Sequence, residues 1–365
     1  MSVDTSVPER FDFVRKLTFF PHKVEAVMRR DLPAALAVVY LDLNTDICNH
    51  NCPFCDGFYR SLVARHLPWP RIERLIEEME ELGVLSVVLA GDRGEPLLHP
   101  QIGRILARLA DSTIRYGLYT NGVLIKPMIC PSLSRAAFVR VSADAATPAT
   151  HALMHGYPAA RGDFDCVVRN VRRLGDTRGD VGVSFVLTPG NAHELAAAAD
   201  CFLQAGARFI EYKPHYLPGY GVDAIWLRSA AHHIRGEIDR ARQRWGDRIV
   251  VNNQIDATLG CLRQALETTP RTCLTSLLRL VISTHGCYTC TPYRGETERR
   301  VGDILQQSLR DVVDSCARHR LLQCACGRLC AYHEQNEWLL TADRGEHPAS
   351  AYGERTPTAP QDYFI

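Results

Sequence analysis

The sequence predicts an α/β fold built on a parallel sheet, either open or curled towards a barrel. Two observations predict it. Six short apolar, β-branched runs recur between residues 36 and 214, and amphipathic stretches of helical length separate them. Strands that alternate with helices in this way pair in parallel. A third observation bounds the size: 365 residues leave room for about two domains, or one large α/β domain with an appendage.

Taken in order, the strands are "LAVVYLDL" (36–43), "SVVLAG" (86–91), "IRYGLYT" (114–120), "FVRVSAD" (138–144), "VGVSFVLT" (181–188) and "RFIEYKP" (208–214). Each is short enough to be a buried strand. The intervening helices are "WPRIERLIEEMEELG" (69–83), "HPQIGRILARLADS" (99–112), "DFDCVVRNVRRLG" (163–175) and "NAHELAAAADCFLQAG" (191–206). Asn191 stands in cap position of the last, and Gly83 and Gly206 close two of them. A longer helix, "LRSAAHHIRGEIDRARQRWG", ends this body at residue 246. Beyond it "LRLVISTHGCYTCTPYRG" reads as strand–turn–strand, "SLRDVVDSCARHRLL" as a helix and "QCACGRLCAYH" as a tight loop. The expected divisions are an N-terminal extension (1–36), the α/β body (37–246), a small cysteine-rich domain (247–341) and a polar tail (342–365), flexible or laid over the surface.

Composition narrows the function. A formal net charge of +1 supports neither nucleic acid nor an anionic membrane as partner. The N-terminus "MSVDTSVPERFDF" has no apolar core of a signal peptide, and no apolar run approaches the ~18 residues of a membrane span. A cytoplasmic protein is expected. Its 14 cysteines are then poor candidates for a disulfide framework, because that compartment keeps thiols reduced. Cys130, Cys166, Cys201 and Cys261 are scattered and suit small buried hydrophobes, although Cys261 is also kept as a candidate for chemistry.

The clustered cysteines ask for metal. "CNHNCPFC" puts Cys48, Cys52 and Cys55 directly after the first strand, where parallel α/β folds gather ligands. Three adjacent thiolates suit an iron–sulfur cubane or a zinc ion, with His50 as a fourth zinc ligand. A cubane with three protein ligands keeps one iron open to a small molecule.

The spacing C-x3-C-x2-C after the first strand resembles the radical S-adenosylmethionine (radical SAM) enzymes. "AGDRGEPLLHP" (90–100) is similar to the family's GGEP element, "YTNG" (119–122) to its TNG turn, and "VRVSADAATPATHALMHG" (139–156) to its ribose-binding segment. The resemblance implies a partial (β/α)6 barrel in which Cys48, Cys52 and Cys55 hold a [4Fe–4S] cluster. The amine and carboxylate of S-adenosylmethionine would chelate the open iron. Reductive cleavage would give a 5′-deoxyadenosyl radical that takes a hydrogen atom from an unactivated C–H bond. The electron would come from a flavodoxin- or ferredoxin-type reductant. Phe54 would face the adenine, Gly94 and Glu95 the methionine ammonium, Ser142 and Asp144 the ribose, with Asn121 in the third rim turn.

The C-terminal part resembles the SPASM and twitch extensions of the same superfamily. It departs from the full SPASM pattern: three residues, not four, separate Gly286 from Cys290, and C324-x-C326-x3-C330 has no later cysteine. That favours one auxiliary [4Fe–4S] cluster on Cys273, Cys290, Cys326 and Cys330, with Cys324 or Cys287 as substitutes. The short segment before the first strand favours a small polar substrate, such as a sugar, aminocyclitol or nucleoside derivative of antibiotic assembly, over a peptide. Oxidation of an alcohol to a ketone is the expected reaction, with epimerisation, decarboxylation and peptide modification as alternatives. Lys213, His215 and Tyr216 follow the sixth strand and are the residues expected to meet substrate. A non-catalytic electron carrier would explain the thiols but not the three accompanying rim motifs.

Overall fold

The computed structural model describes residues 11–55, 63–177, 180–215, 223–252, 255, 272–315, 332–346 and 356–365. Its strands are β1 (Val38–Thr45), β2 (Arg65–His66), β3 (Ser86–Asp92), β4 (Arg115–Thr120), β5 (Phe138–Ser142), β6 (Val181–Leu187), β7 (Phe209–Pro214), β8 (Ile249–Val251), β9 (Arg279–Ser283), β10 (Gly286–Tyr288) and β11 (Arg300–Gly302). The fold is α/β with a mostly parallel sheet, as expected. Two compact units divide the chain: Met1–Ile47, Tyr59–Gly117 and Thr269–Ile365 form one, and Cys48–Phe58 with Leu118–Thr268 form the other.

In the first unit β1 lies between β3 and β9 and is parallel to both. Alternation along β1 explains its sequence. Val39, Leu41 and Leu43 are fully buried on one face, while Tyr40, Asp42 and Asn44 occupy the other. Buried Asp42 is held by Arg294, whose Nη2 donates to Oδ1 at 3.0 Å and whose Nε lies 2.7 Å from Oδ2. The helix Trp69–Glu81 buries Ile72, Leu75, Ile76 and Met79, one stripe at helical spacing. The strand–turn–strand expected over 278–295 is present as β9 and β10, antiparallel, with Cys287 opposite Ile282 and Tyr288 opposite Val281. The tail expected to be flexible or laid over the surface ends packed: Ile365 is buried, and the Asp362 carboxylate pairs with Arg15 at 3.3 Å.

In the second unit β5, β6, β7 and β8 are successive parallel neighbours. Helices Asp163–Asp176 and Leu195–Gln204 connect them, each burying one apolar stripe. Asn191 precedes a single 3-10 turn (Ala192–Glu194) and does not cap with its side chain. Its Oδ1 instead accepts from the Thr188 N–H at 2.8 Å, and its Nδ2 donates to the carbonyls of Asp144 and Val186, tying two strand ends together. Among the described residues no helix is long and apolar enough to cross a membrane.

Candidate functional site

The Cys48–Cys55 loop is fastened at its middle by a backbone hydrogen bond. The Asn51 N–H donates to the carbonyl of His155, the last residue of the helix Pro148–His155, at 3.0 Å. Gly156 follows in left-handed conformation (φ +63°), and a Cβ there would stand 2.2 Å from the Asn51 carbonyl oxygen. Only glycine allows this approach. Asn121, at the end of β4, donates from Nδ2 to Asn49 Oδ1 at 2.8 Å, with Cys48 Sγ 4.0 Å away. The TNG turn therefore braces the thiol loop directly.

Cys48 is exposed, and Cys52 and Cys55 are half-buried. Burial, and then the negative charges of Cys55, Asp144 and Cys48, push the Cys52 thiol far above its ordinary pKa. Three cysteine sulfurs within eight residues are a donor set that fits an iron–sulfur cluster or a thiophilic metal ion. Phe54 stands edge-on to His155 and His215, with ring centroids 6.1 and 6.2 Å away.

Around the loop's His50, which the sequence offered only as a zinc ligand, gathers a group the sequence reading did not bring together. His50, His151 and His155 gather with Tyr157 and Asp163: His50 stacks on Tyr157 at 5.0 Å, and His151 lies 4.2 Å from His155. His50 Nε2 is 2.9 Å from Asp163 Oδ2, His151 Nδ1 is 2.5 Å from Tyr157 Oη, and His155 Nδ1 is 3.3 Å from Cys52 Sγ. Burial lowers all three imidazole pKa values, that of His151 to about 3. The signal available was the pair His151 and His155, four apart on one helix face.

Asp144 adopts a positive φ of 55°, and burial pushes its carboxyl up to about 7. Its Oδ1 accepts from the Val186 N–H at 2.6 Å, and its Oδ2 is 3.4 Å from His155 Nε2. Ser142 ends β5 half-buried beside it. Farther along the strand ends, Lys213 Nζ lies 3.4 Å from Glu211 and 5.8 Å from the Tyr119 ring, while Arg140 also pairs with Glu211. His215 follows β7, its pKa lowered by burial. Tyr216 and Cys261 lie outside the described residues.

In the first unit, Gly94 and Glu95 form the turn after β3. A Cβ on Gly94 would meet Asn44 Oδ1 at 2.5 Å. The Glu95 N–H donates to the Ile47 carbonyl at 2.9 Å, and its Oε1 accepts from the Leu97 N–H at 3.1 Å. One carboxylate oxygen thus caps the short turn Pro96–Leu98.

Of the cysteines expected on an auxiliary cluster, Cys273 precedes the turn Leu274–Leu277 and Cys290 follows β10. Both are half-buried. Cys290 packs against Val281, Tyr288 and Tyr293 together with Tyr40. Cys287 is fully buried on β10, and strand alternation turns it away from the face of Tyr288. Cys326, Cys330 and Cys324 lie outside the described residues. Cys130 is buried, whereas Cys166 and Cys201 are half-buried.

Residues 45–201 match the model of the radical SAM superfamily, a span that contains the thiol loop, the GEP turn, the TNG turn and the Ser142–Asp144 segment. The chain carries a radical SAM domain. The AdoMet-dependent heme synthase of Methanosarcina barkeri is 29% identical over 163 residues, 44% of this chain and 45% of that protein. The probable GTP 3′,8-cyclase of Thermococcus kodakarensis is 33% identical over 99 residues, 27% of this chain and 31% of that protein. The chain thus spans less than half the length of these two relatives. Streptococcus suis SuiB, solved with its precursor peptide SuiA, superposes with TM-score 0.61 at 15% identity over 81% of this chain and 71% of that one. The enzyme anSMEcpe with bound AdoMet does so with TM-score 0.60 at 15% identity over 90% of this chain and 99% of that one. At such identities the likeness shows the shared fold. The cofactors of a radical SAM domain are a [4Fe–4S] cluster and S-adenosylmethionine.

Proposed function

We propose that this radical SAM enzyme abstracts a hydrogen atom from a small polar substrate of sugar, aminocyclitol or nucleoside type and oxidises an alcohol to a ketone, with an auxiliary [4Fe–4S] cluster as electron acceptor. The observation that carries it is the braced loop in which Cys48, Cys52 and Cys55 share eight residues within the matched domain. These three thiols would hold the first cluster. When bound, the cluster and S-adenosylmethionine supply a one-electron reductive cleavage whose radical product takes hydrogen from an unactivated C–H bond.

This chain's residues bind, orient and exclude water. Phe54 offers an apolar ring beside the loop, and Ser142 a hydroxyl at the end of β5. Asp144 shapes the strand end beside Ser142 and is anchored to the Val186 backbone. The Lys213 ammonium is about a quarter exposed, which suits a substrate hydroxyl or carboxylate. His215, kept neutral by burial, offers a lone pair for the proton that an alcohol gives up on becoming a ketone.

The auxiliary cluster would sit on Cys273, Cys290, Cys326 and Cys330 in a SPASM- or twitch-like segment. Chain order supports pairing the first two: Cys273 precedes β9, and Cys290 follows β10, whose antiparallel register runs back towards the start of β9. The test is anaerobic turnover with aminocyclitols or sugars deuterated at the carbinol carbon. The reading expects deuterium in 5′-deoxyadenosine and a trappable ketone in equal amount. Deuterium transfer with an inverted carbon and no ketone would replace oxidation by epimerisation.

A further inference from the structure

Three donor atoms, two of them from the thiol loop, converge without any contribution from Cys48 or Cys55. One ligand atom each from His50, Cys52 and His155 lies within 4.8 Å of the other two, and all belong to one compact unit. The partners of the two rings decide which nitrogen of each is left with a lone pair to offer. His155 Nε2 is 3.1 Å from the Ala143 carbonyl, which only accepts, so that nitrogen carries the hydrogen and Nδ1 presents its lone pair to Cys52 Sγ at 3.3 Å. His50 Nε2 is 2.9 Å from the Asp163 carboxylate, leaving a buried Nδ1 with no hydrogen-bond partner on a side chain that is 1% exposed.

A histidine that donates one ring N–H to a carboxylate or carbonyl and turns the other nitrogen inward is the usual arrangement of a metal-ligating imidazole. Both rings have it. Asp163 is itself gripped by Arg161, which fixes the His50 ring from behind. Two neutral imidazoles and one thiolate are a borderline-soft donor set that suits a zinc-class cation with one position open to water.

We propose that, in the cluster-free chain, His50, Cys52 and His155 bind a single Zn2+. The ion replaces the Cys52 thiol proton, which leaves to solvent, and nothing is oxidised or reduced. The site goes beyond the cluster reading and shares with it only Cys52. The two occupants therefore exclude one another: a zinc-loaded chain holds Cys52 back from cluster assembly until the ion is removed.

The experiment titrates the reduced, cluster-free full chain with Co2+ and Zn2+ under anaerobic conditions. Affinity is read by chelator competition, and the thiolate-to-cobalt charge-transfer band reports sulfur ligation. One equivalent with a charge-transfer band is expected for the native chain and for Cys48→Ala/Cys55→Ala. Loss of the band is expected for Cys52→Ala, and affinity should fall at least ~10-fold for His155→Gln and His50→Gln. Loss of binding in Cys48→Ala/Cys55→Ala would overturn the proposal in favour of an ordinary three-thiolate site. Unchanged affinity in folded His155→Gln and His50→Gln would overturn it as well. Should the histidine variants fail to fold by circular dichroism, the alanine pair decides alone. Absence of zinc binding would leave the cluster assignment standing, since that rests on iron and sulfide content.

Discussion

The backbone N–H of Asn51 donates to the carbonyl of His155 at 3.0 Å, so the thiol loop is docked onto the end of a helix that the sequence places a hundred residues away. The contact depends on Gly156, whose Cβ position would lie 2.2 Å from the Asn51 carbonyl oxygen.

Gly156→Ala should therefore cost about 2 kcal/mol or more, from left-handed strain plus a backbone clash. Gly162→Ala is the control: its φ of +73° carries the same strain, yet no atom stands within 4 Å of the added carbon. Urea unfolding should rank Gly156→Ala below Gly162→Ala. Iron content after reconstitution should drop in the former alone.

Asp42 and Arg294 form an ion pair in which the carboxylate is fully buried. Removing one partner strands a buried charge, so Arg294→Met should destabilise by about 3–5 kcal/mol. The double variant Asp42→Leu/Arg294→Met should recover most of that loss. A double variant no more stable than the single one would count against this account of the pair.

Burial pushes the Cys287 thiol up to about 12. A raised thiol pKa keeps the group protonated until the pH nears that value, so at pH 8 the thiol form prevails. Iodoacetamide at pH 8 should leave Cys287 unlabelled in the folded chain. Cys287→Ala should keep the auxiliary iron that Cys290→Ala loses.

Lys213→Met removes the ammonium beside Glu211 and Tyr119. Cleavage of S-adenosylmethionine in the absence of substrate should persist, while apparent substrate affinity should fall about tenfold, equivalent to about 1.4 kcal/mol. Equal loss of both activities would assign Lys213 to the fold instead.

Much of this was legible in the sequence because the signals are local. The six strand runs fall within about two residues of their observed limits, since each is a β-branched burst between helical periods. The thiol loop was legible from spacing alone. What stayed hidden depends on distant partners. His151 and His155 sit inside a stretch matched to a ribose-binding motif, and nothing local says that they meet His50 and Cys52. Asn191 read as a helix cap, yet its amide joins the ends of two strands. The closing Phe364 and Ile365 are buried although the tail before them is polar.

The most direct test of the central claim is 5′-deoxyadenosine formation by anaerobically reconstituted, reduced protein, native beside Cys48→Ala/Cys52→Ala/Cys55→Ala. The account predicts 5′-deoxyadenosine and methionine from the native chain and none from the variant, which should keep about half of its iron if the auxiliary cluster is separate. A native chain that binds a cubane and S-adenosylmethionine but releases no 5′-deoxyadenosine would contradict it and leave an electron carrier.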